Sequence, residues 1–322
     1  MILDDPALNA ALQAAAPGLA GIMLFISFVG NPVVLFFFIA AILWCHDKSL
    51  GLRLAAVCSL SFSLNAVLEL FFHSPRPYWV DNDVKAFGAE TSFGMPSCHA
   101  QTSATFFGYI AAWMRKRAVW IACIAAILLI GISRMYLGVH FLGDILTGWA
   151  AAIVIIALAL RYGDVTAAWF FRQKVPAQIL AAFVVSLAIV AASQLVIAGL
   201  GAWQVPAAWP ALALAKTHTA IDPVSMGDTL LAAGLLFGIV AGAAVSAAYI
   251  PFSAEGSRKQ KITRAALGVL ILLLILVIPD AATKWPGFAG FGMMYCRSAL
   301  MGLWITAGAP LVFRRLKLMS DT

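Results

Sequence analysis

Along the 322 residues, long apolar runs alternate with short polar and charged gaps. A membrane-crossing helix needs about 20 predominantly apolar residues. Nine stretches reach or approach that length: about 31–46, 52–72, 98–114, 118–136, 141–160, 177–200, 229–250, 264–279 and 293–313. Alternating segments of about ten residues, which would mark a barrel, are absent. The pattern therefore predicts an all-α, polytopic helical membrane protein of about nine spans. Residues 7–29 are also helix-forming and become strongly apolar at Met23–Val29. They are read as a helix lying at the outer interface, with a bend at Pro17-Gly18. As a tenth span they would leave almost no loop before the next one.

Composition supports this reading. The chain is 63% hydrophobic and 11% charged, with a mean hydropathy of +0.95. A water-soluble domain carries roughly 25% charged residues, so two soluble domains are excluded. The net charge of +7 by itself would suit nucleic acid, but the bases cluster in every second gap. They are Lys48 and Arg53; Arg115, Lys116 and Arg117; Arg161, Arg172 and Lys174; Arg258, Lys259, Lys261 and Arg264; and Arg314, Arg315 and Lys317. That puts 15 of the 21 bases on one side. Asp4, Asp5, Asp81, Asp83, Glu90, Asp222, Asp228 and Asp280 fall on the other. By the positive-inside rule the N-terminus is external and the C-terminus cytoplasmic. The partner is thus the membrane, and no nucleic acid is expected. A secretory signal peptide needs a basic start, whereas no Lys or Arg precedes Lys48. The five cysteines, Cys45, Cys58, Cys98, Cys123 and Cys296, show no C-x-x-C spacing, so neither a zinc site nor a disulfide framework is expected. Trp203, Trp209 and Trp285 suit an interfacial belt, and the run Arg258–Arg264 a cytoplasmic anchor. Lys216-Thr217-His218-Thr219 matches no motif.

Polar residues gather at the ends of the early spans. Glu69 closes the second, followed by His73-Ser74-Pro75-Arg76-Pro77-Tyr78-Trp79. Pro96-Ser97-Cys98-His99 opens the third, Ser133-Arg134 closes the fourth, and His140 and Asp144 open the fifth, four residues apart and so on one helical face. Under the charge-derived topology all four ends lie on the outer side. Arginines and histidines at one bilayer face mark a functional site. Two arginines beside a helix N-terminus suit a tetrahedral oxyanion, because arginine offers bidentate donors and free helix N–H groups favour anions. Ser97 is placed to cap the helix starting near Cys98. His140 with Asp144 reads as a nucleophile and the carboxylate that fixes its tautomer, with His99 as the acid that protonates the departing oxygen.

These residues resemble the type 2 phosphatidic acid phosphatase family, whose signature is K-x6-R-P, P-S-G-H and S-R-x5-H-x3-D. The third part matches completely as Ser133-Arg134, His140 and Asp144; the second appears as Pro96-Ser97-Cys98-His99, and the first as Glu69 with Arg76-Pro77. The resemblance covers about residues 31–160. It implies a helical phosphatase core, no metal or other cofactor, and a phosphohistidine mechanism. In it His140 attacks phosphorus, Asp144 orients it, His99 is the general acid, and Arg76, Ser97 and Arg134, together with the backbone at Cys98, hold the phosphoryl oxygens. Glucose-6-phosphatase belongs to the wider family, and nine spans with an external N-terminus are similar to its layout.

Two departures stand out. Glu69 replaces the family's lysine, exchanging a cation for an anion beside a site for a dianion. Near an effective dielectric of 20, charges about 4 Å apart interact by roughly 4 kcal/mol. Glu69 therefore has to point away, pair with His73 one turn on, or stay protonated, and His73 or Lys85 could supply the missing cation. Cys98 replaces a glycine that would allow close backbone approach to phosphate.

The division expected is an interfacial helix (1–30), a five-span phosphatase core (31–162) and a four-span C-terminal region (163–322). The last could form a homodimer interface, widen a lipid-access groove or carry a transport role. The leading expectation is a phosphatase acting on a lipid phosphate or diphosphate at the outer leaflet of a bacterial inner membrane. Phosphoryl transfer to another acceptor, hydrolysis of a sugar phosphate, and a non-catalytic lipid-binding or transport protein on a degenerate core are the alternatives.

Overall fold

The computed structural model describes residues 2–277 and 287–319; Asp280 and Trp285, assigned above to the outer side and to an aromatic belt, lie outside the described residues. Every regular element among the described residues is helical. In chain order, after a 3-10 turn at Ile2–Asp4, they are α1 (Pro6–Ala15), α2 (Ala20–Val29), α3 (Pro32–Cys45), α4 (Lys48–Phe72), the single turn α5 (Pro77–Val80), α6 (Cys98–Met114), α7 (Arg117–Tyr136), α8 (Leu142–Arg172), α9 (Val175–Gly199), α10 (Ala208–Thr217), α11 (Gly227–Tyr249), α12 (Arg258–Val277), α13 (Phe288–Leu303) and α14 (Ala309–Arg315), the last two joined by a π-helical turn at Trp304–Gly308.

Seven stretches among the described residues are long and apolar enough to cross a membrane: Lys48–Val80, Arg117–Tyr136, Leu142–Arg172, Val175–Gly199, Gly227–Tyr249, Arg258–Val277 and Ala289–Arg315. Two of the nine stretches read as spans from sequence, α3 with 14 residues and α6 with 17, are shorter. At about 1.5 Å per residue they run to roughly 21 and 26 Å, against a hydrocarbon core of about 30 Å. The α1–α2 pair, counted as one crossing, would be an eighth. It is bent by 119° at the break that contains Pro17-Gly18, the bend expected from sequence.

The described chain forms two compact units. The first comprises Met1–Leu35, Leu64–Ile156 and Ala192–Ser225. Here α7 packs against α1, α2 and α6, and α5 against α1 and α10. Its core buries Leu70, Tyr78, Trp79, Val84, Phe93, Tyr136, Leu137, Val139 and Ala213. These residues come largely from helix ends and connecting loops, so the loops that carry the polar motifs are fixed by apolar burial. Asp5 caps α1 by accepting from Ala7 N–H at 2.9 Å, and Pro6 occupies the first turn, where no N–H is needed. Asn9 and Gln13, one turn apart on α1, are both buried.

The second unit comprises Phe36–Ser63, Ala157–Ala191 and Met226–Thr322. Its centre is the pairing of α11 with α13. Gly238 lets the two backbones meet there, because a Cβ would overlap the Ala299 carbonyl. Small residues at such a crossing replace hydrophobic drive with close van der Waals contact, the usual solution between helices in lipid. Tryptophan N–H groups lock other helices: Trp44 donates to Ile305 O at 2.8 Å and Trp304 to Gly268 O at 3.1 Å. Arg264, read from sequence as part of a cytoplasmic anchor, is fully buried. Its guanidinium donates to the carbonyls of Ser253, Ala254 and Glu255 at 2.9–3.0 Å. Three charge-assisted bonds are what make burying that charge tolerable.

Candidate active site

The site lies wholly in the first unit. Its frame is set by Arg76, which enters α5 in extended conformation ahead of Pro77. Only 2% of the residue is exposed. Its Nε donates to Ser92 O at 2.7 Å, and Nη2 to Phe93 O at 2.7 Å and Ser92 Oγ at 3.2 Å. Nη1 donates to Val139 O and faces His140 Nε2, both at 3.1 Å. A guanidinium has five N–H groups, and here five acceptors surround it. Arg76 thus ties the 92–93 loop to the 139–140 loop and faces Nε2 of His140.

His140 sits in the turn between α7 and α8, two residues ahead of α8 rather than on its first turn. Its Nδ1 lies 2.9 Å from Gly94 O and 3.3 Å from Asp144 Oδ2. A carbonyl oxygen only accepts, so Nδ1 carries the proton and Nε2 the lone pair. That is the tautomer a nucleophilic imidazole needs. Gly94 is required at this spot: a Cβ there would stand 2.7 Å from Pro75 O and 3.1 Å from Asp144 Oδ2. Asp144 also accepts from Phe141 N–H at 2.9 Å, closing the turn, while its Oδ1 finds no protein partner. The imidazole pKa is held well below the ordinary 6.5, first by burial and then by the positive charges of Arg76, Arg134 and His99.

Ser97 is the N-cap of α6, accepting from Ala100 N–H at 3.4 Å, as its place in the sequence predicts. Its own N–H donates to Asp144 O at 3.0 Å, which joins the start of α6 to the start of α8. His99 follows in the first turn, half-buried, with Nε2 3.5 Å from Asn31 Nδ2. Cys98 Sγ lies 3.8 Å from Thr102 Oγ1, a contact along its own helix.

Arg134, at the end of α7 and 5% exposed, donates from Nη1 to Ser27 Oγ at 2.8 Å and from Nη2 to the Glu90 carboxylate. Its Nε has no protein partner. Glu90 belongs to the loop before α6, and its side chain is 31% exposed. Burial works to raise its pKa, but Arg134, Arg76 and His99 outweigh that and hold it down to about 2. The same two arginines and the His99 ring act on both His140 and Glu90, so the motif residues and this carboxylate share one electrostatic neighbourhood.

The residues of the divergent first motif stand differently. Glu69 is 6% exposed at the end of α4, and its backbone carbonyl accepts from His73 N–H at 3.0 Å. The His73 ring does not turn to that carboxylate: Nδ1 lies 2.9 Å from Phe71 O, and the ring packs against Trp203 and Phe93 at centroid distances of 4.9 and 6.3 Å. Lys85 meets the site through its carbonyl, which accepts from Gln13 at 2.9 Å. Trp203 and Trp209, assigned from sequence to a belt, contact this loop cluster, Trp209 meeting Trp79 at 6.1 Å.

Several supporting residues escaped the sequence reading. Asn9 Nδ2 donates to Met135 O at 2.8 Å and His140 O at 2.9 Å, and Gln13 Nε2 to Tyr136 O at 2.8 Å. Lys216 donates to the carbonyls of Asp81 and Val84, so the segment without a motif straps the 81–93 loop. The available signal was a pair of amides one turn apart on an otherwise apolar helix.

Comparison with known proteins gives consistent matches. The PAP2 superfamily profile matches residues 50–167, and the profile described as PAP2 superfamily phosphatase, transmembrane extension, matches residues 230–321. The chain is 31% identical over 133 residues to phosphatidylglycerophosphatase B of Bacillus subtilis (strain 168), covering 38% of this chain and 62% of that protein. It is 27% identical over 169 residues to glucose-6-phosphatase 3 of Rattus norvegicus, covering 45% of this chain and 49% of that protein. The chain thus spans about half to three-fifths of the length of these relatives. Among solved structures, a transmembrane PAP2-type phosphatidylglycerolphosphate phosphatase from Bacillus subtilis aligns at 26% identity and a TM-score of 0.42, over 49% of this chain and 85% of that one.

Proposed function

The chain belongs to the PAP2 superfamily, and on that premise we propose that it is an integral-membrane phosphatase that cleaves a lipid phosphate or lipid diphosphate through a phosphohistidine intermediate. The observation that carries the reading is His140: buried, protonated on Nδ1 towards Gly94 O and Asp144, with the Nε2 lone pair directed at the Arg76 guanidinium.

The steps follow from those positions. Nε2 of His140 attacks phosphorus; the N–P bond forms as the P–O bond to the alcohol or phosphate leaving group breaks, and His99 delivers its proton to the departing oxygen. Asp144 stabilises the positive charge that develops on the ring. His99, now neutral, takes a proton from water as the water oxygen attacks phosphorus and the N–P bond breaks. The products are the leaving group and inorganic phosphate, and both histidines return to their starting states. Arg134, the first N–H groups of α6 capped by Ser97, and the one Arg76 N–H that is released when His140 Nε2 attacks carry the phosphoryl oxygens.

A lipid substrate is favoured because the reacting residues occur at helix ends, and a lipid phosphate bound there would keep its acyl or isoprenoid chains in the bilayer. The charge bias of the gaps favours an outward-facing site, on the periplasmic or exterior side of a bacterial inner membrane. The similarity to phosphatidylglycerophosphatase B supports a lipid headgroup. The similarity to glucose-6-phosphatase 3 favours a second reading, a soluble sugar phosphate.

The deciding experiment is phosphate release by the purified full chain from phosphatidate, phosphatidylglycerophosphate, a polyprenyl diphosphate and glucose 6-phosphate, with His140→Ala in parallel. Turnover of a lipid phosphate that disappears in His140→Ala is the expected result; no release by wild type, or equal release by both, refutes it. Glu69→Lys combined with Cys98→Gly restores the family residues. Activity confined to that double variant would mean that the natural chain is a non-catalytic member.

A further inference from the structure

The two site arginines are not equivalent. Arg76 spends its five N–H groups on protein acceptors, four of them on the two loops it joins and one on His140 Nε2. Arg134 is nearly as buried but is held far less completely, by one serine hydroxyl and one carboxylate, and its Nε lacks a protein partner. It is therefore the guanidinium with donors to spare for an incoming anion, and its charge partner is Glu90. That carboxylate lies on a loop and is 31% exposed, against 6% for the Arg134 side chain, so it can leave toward solvent while the arginine stays. A carboxylate and a phosphoryl group present the same planar pair of oxygens to a guanidinium fork and compete for it directly.

We infer that Glu90 is the resident anion of the phosphoryl site: it occupies Arg134 in the empty enzyme, is displaced by the phosphoryl group of the substrate, and returns to Arg134 as phosphate leaves. Glu90 thereby sets the affinity for phosphate and limits product inhibition. The inference rests on the phosphatase reading and adds a positioning residue that its signature motifs do not contain. The structural alternative, in which Glu90 merely holds Arg134 in place, predicts the opposite sign: its loss would loosen the arginine and weaken phosphate binding.

The experiment measures competitive inhibition by inorganic phosphate, together with kcat and KM, for the full-length wild type, Glu90→Gln and Glu90→Asp. Glutamine keeps the shape and one acceptor but removes the charge. The inhibition constant for phosphate is expected to fall about tenfold in Glu90→Gln, the equivalent of one charge-assisted hydrogen bond no longer competing. KM falls with it, and kcat does not rise. Glu90→Asp keeps the charge on a shorter arm, and its inhibition constant should lie between those of the other two. That variant decides the matter if Glu90→Gln does not fold: an inhibition constant below that of wild type supports the inference. An unchanged or raised constant in whichever variant folds overturns it, leaving the phosphatase reading intact. A wild type that neither turns over a phosphate ester nor binds inorganic phosphate in calorimetry overturns the reading and this inference together.

Discussion

Asn9→Ala tests how far the first helix belongs to the catalytic apparatus. Asn9 is fully buried, and its amide donates to the carbonyls of Met135 and His140 at 2.8 and 2.9 Å. Truncation strands the His140 carbonyl, whereas Met135 O keeps the Gly138 N–H at 3.0 Å. A buried group that loses its partner costs roughly 1–3 kcal/mol. The Asn9 carbonyl oxygen itself has no partner, so its removal returns part of that cost, and the net loss should be about 1–2 kcal/mol. The second effect is geometric. The His140 carbonyl anchors the backbone that aims the imidazole, and a misplacement near 1 Å costs about 100-fold in rate. Thermal inactivation of the full chain and steady-state kinetics at 25 °C read the two effects separately. Asn9→Ala should lower both the inactivation midpoint and kcat, the latter about tenfold or more. Gln13→Ala, which frees Lys85 O and Tyr136 O, should lower the midpoint while leaving kcat within about twofold. Equal kcat losses in the two variants, or an Asn9→Ala enzyme as stable and active as wild type, would refute the reasoning.

Asp144→Asn retains volume but cannot stabilise an imidazolium; kcat should fall by about 100-fold to 10,000-fold with little change in KM, as measured on the best substrate of the panel. A loss under tenfold would remove Asp144 as the orienting group. Two depressed pKa values make the fold acid-sensitive with the same sign. His140 is neutral when folded and protonates near its ordinary 6.5 when unfolded, so stability declines as pH falls below about 6.5; Glu90, near 2 when folded against an ordinary 4.5, adds a further loss as pH falls from 4.5 towards 2. Denaturation midpoints between pH 7 and pH 3 should show both steps, and Glu90→Gln should lack the lower one. Lys216→Met releases the carbonyls of Asp81 and Val84; because the ammonium is partly exposed, the stability cost should be about 1 kcal/mol. Hydrogen exchange should rise selectively across residues 81–93, and uniform exchange in this loop would dismiss the strap.

Much was legible from one dimension because the relevant signals are local. A bilayer imposes a fixed length on each apolar run, so the helical class followed from the hydrophobic pattern. Ser97 as N-cap and the pairing of His140 with Asp144 followed from spacings of three to four residues. Span number was less legible: α3 and α6 read as crossings because apolar content marks them, but content does not fix where a helix stops. Arg264 looked like a surface charge until three carbonyls of the loop before α12 were found around it.

Composition and short-range spacing thus determined the helical membrane class and singled out the histidine-centred cluster proposed as the site. Only the tertiary structure decided which groups support it. Asn9 meets His140 across 131 positions, and Glu90 meets Arg134 across 44. A buried donor must find some acceptor, but the requirement does not name one. Which carbonyl or carboxylate stands there depends on how distant loops pack, and no local pattern encodes that choice.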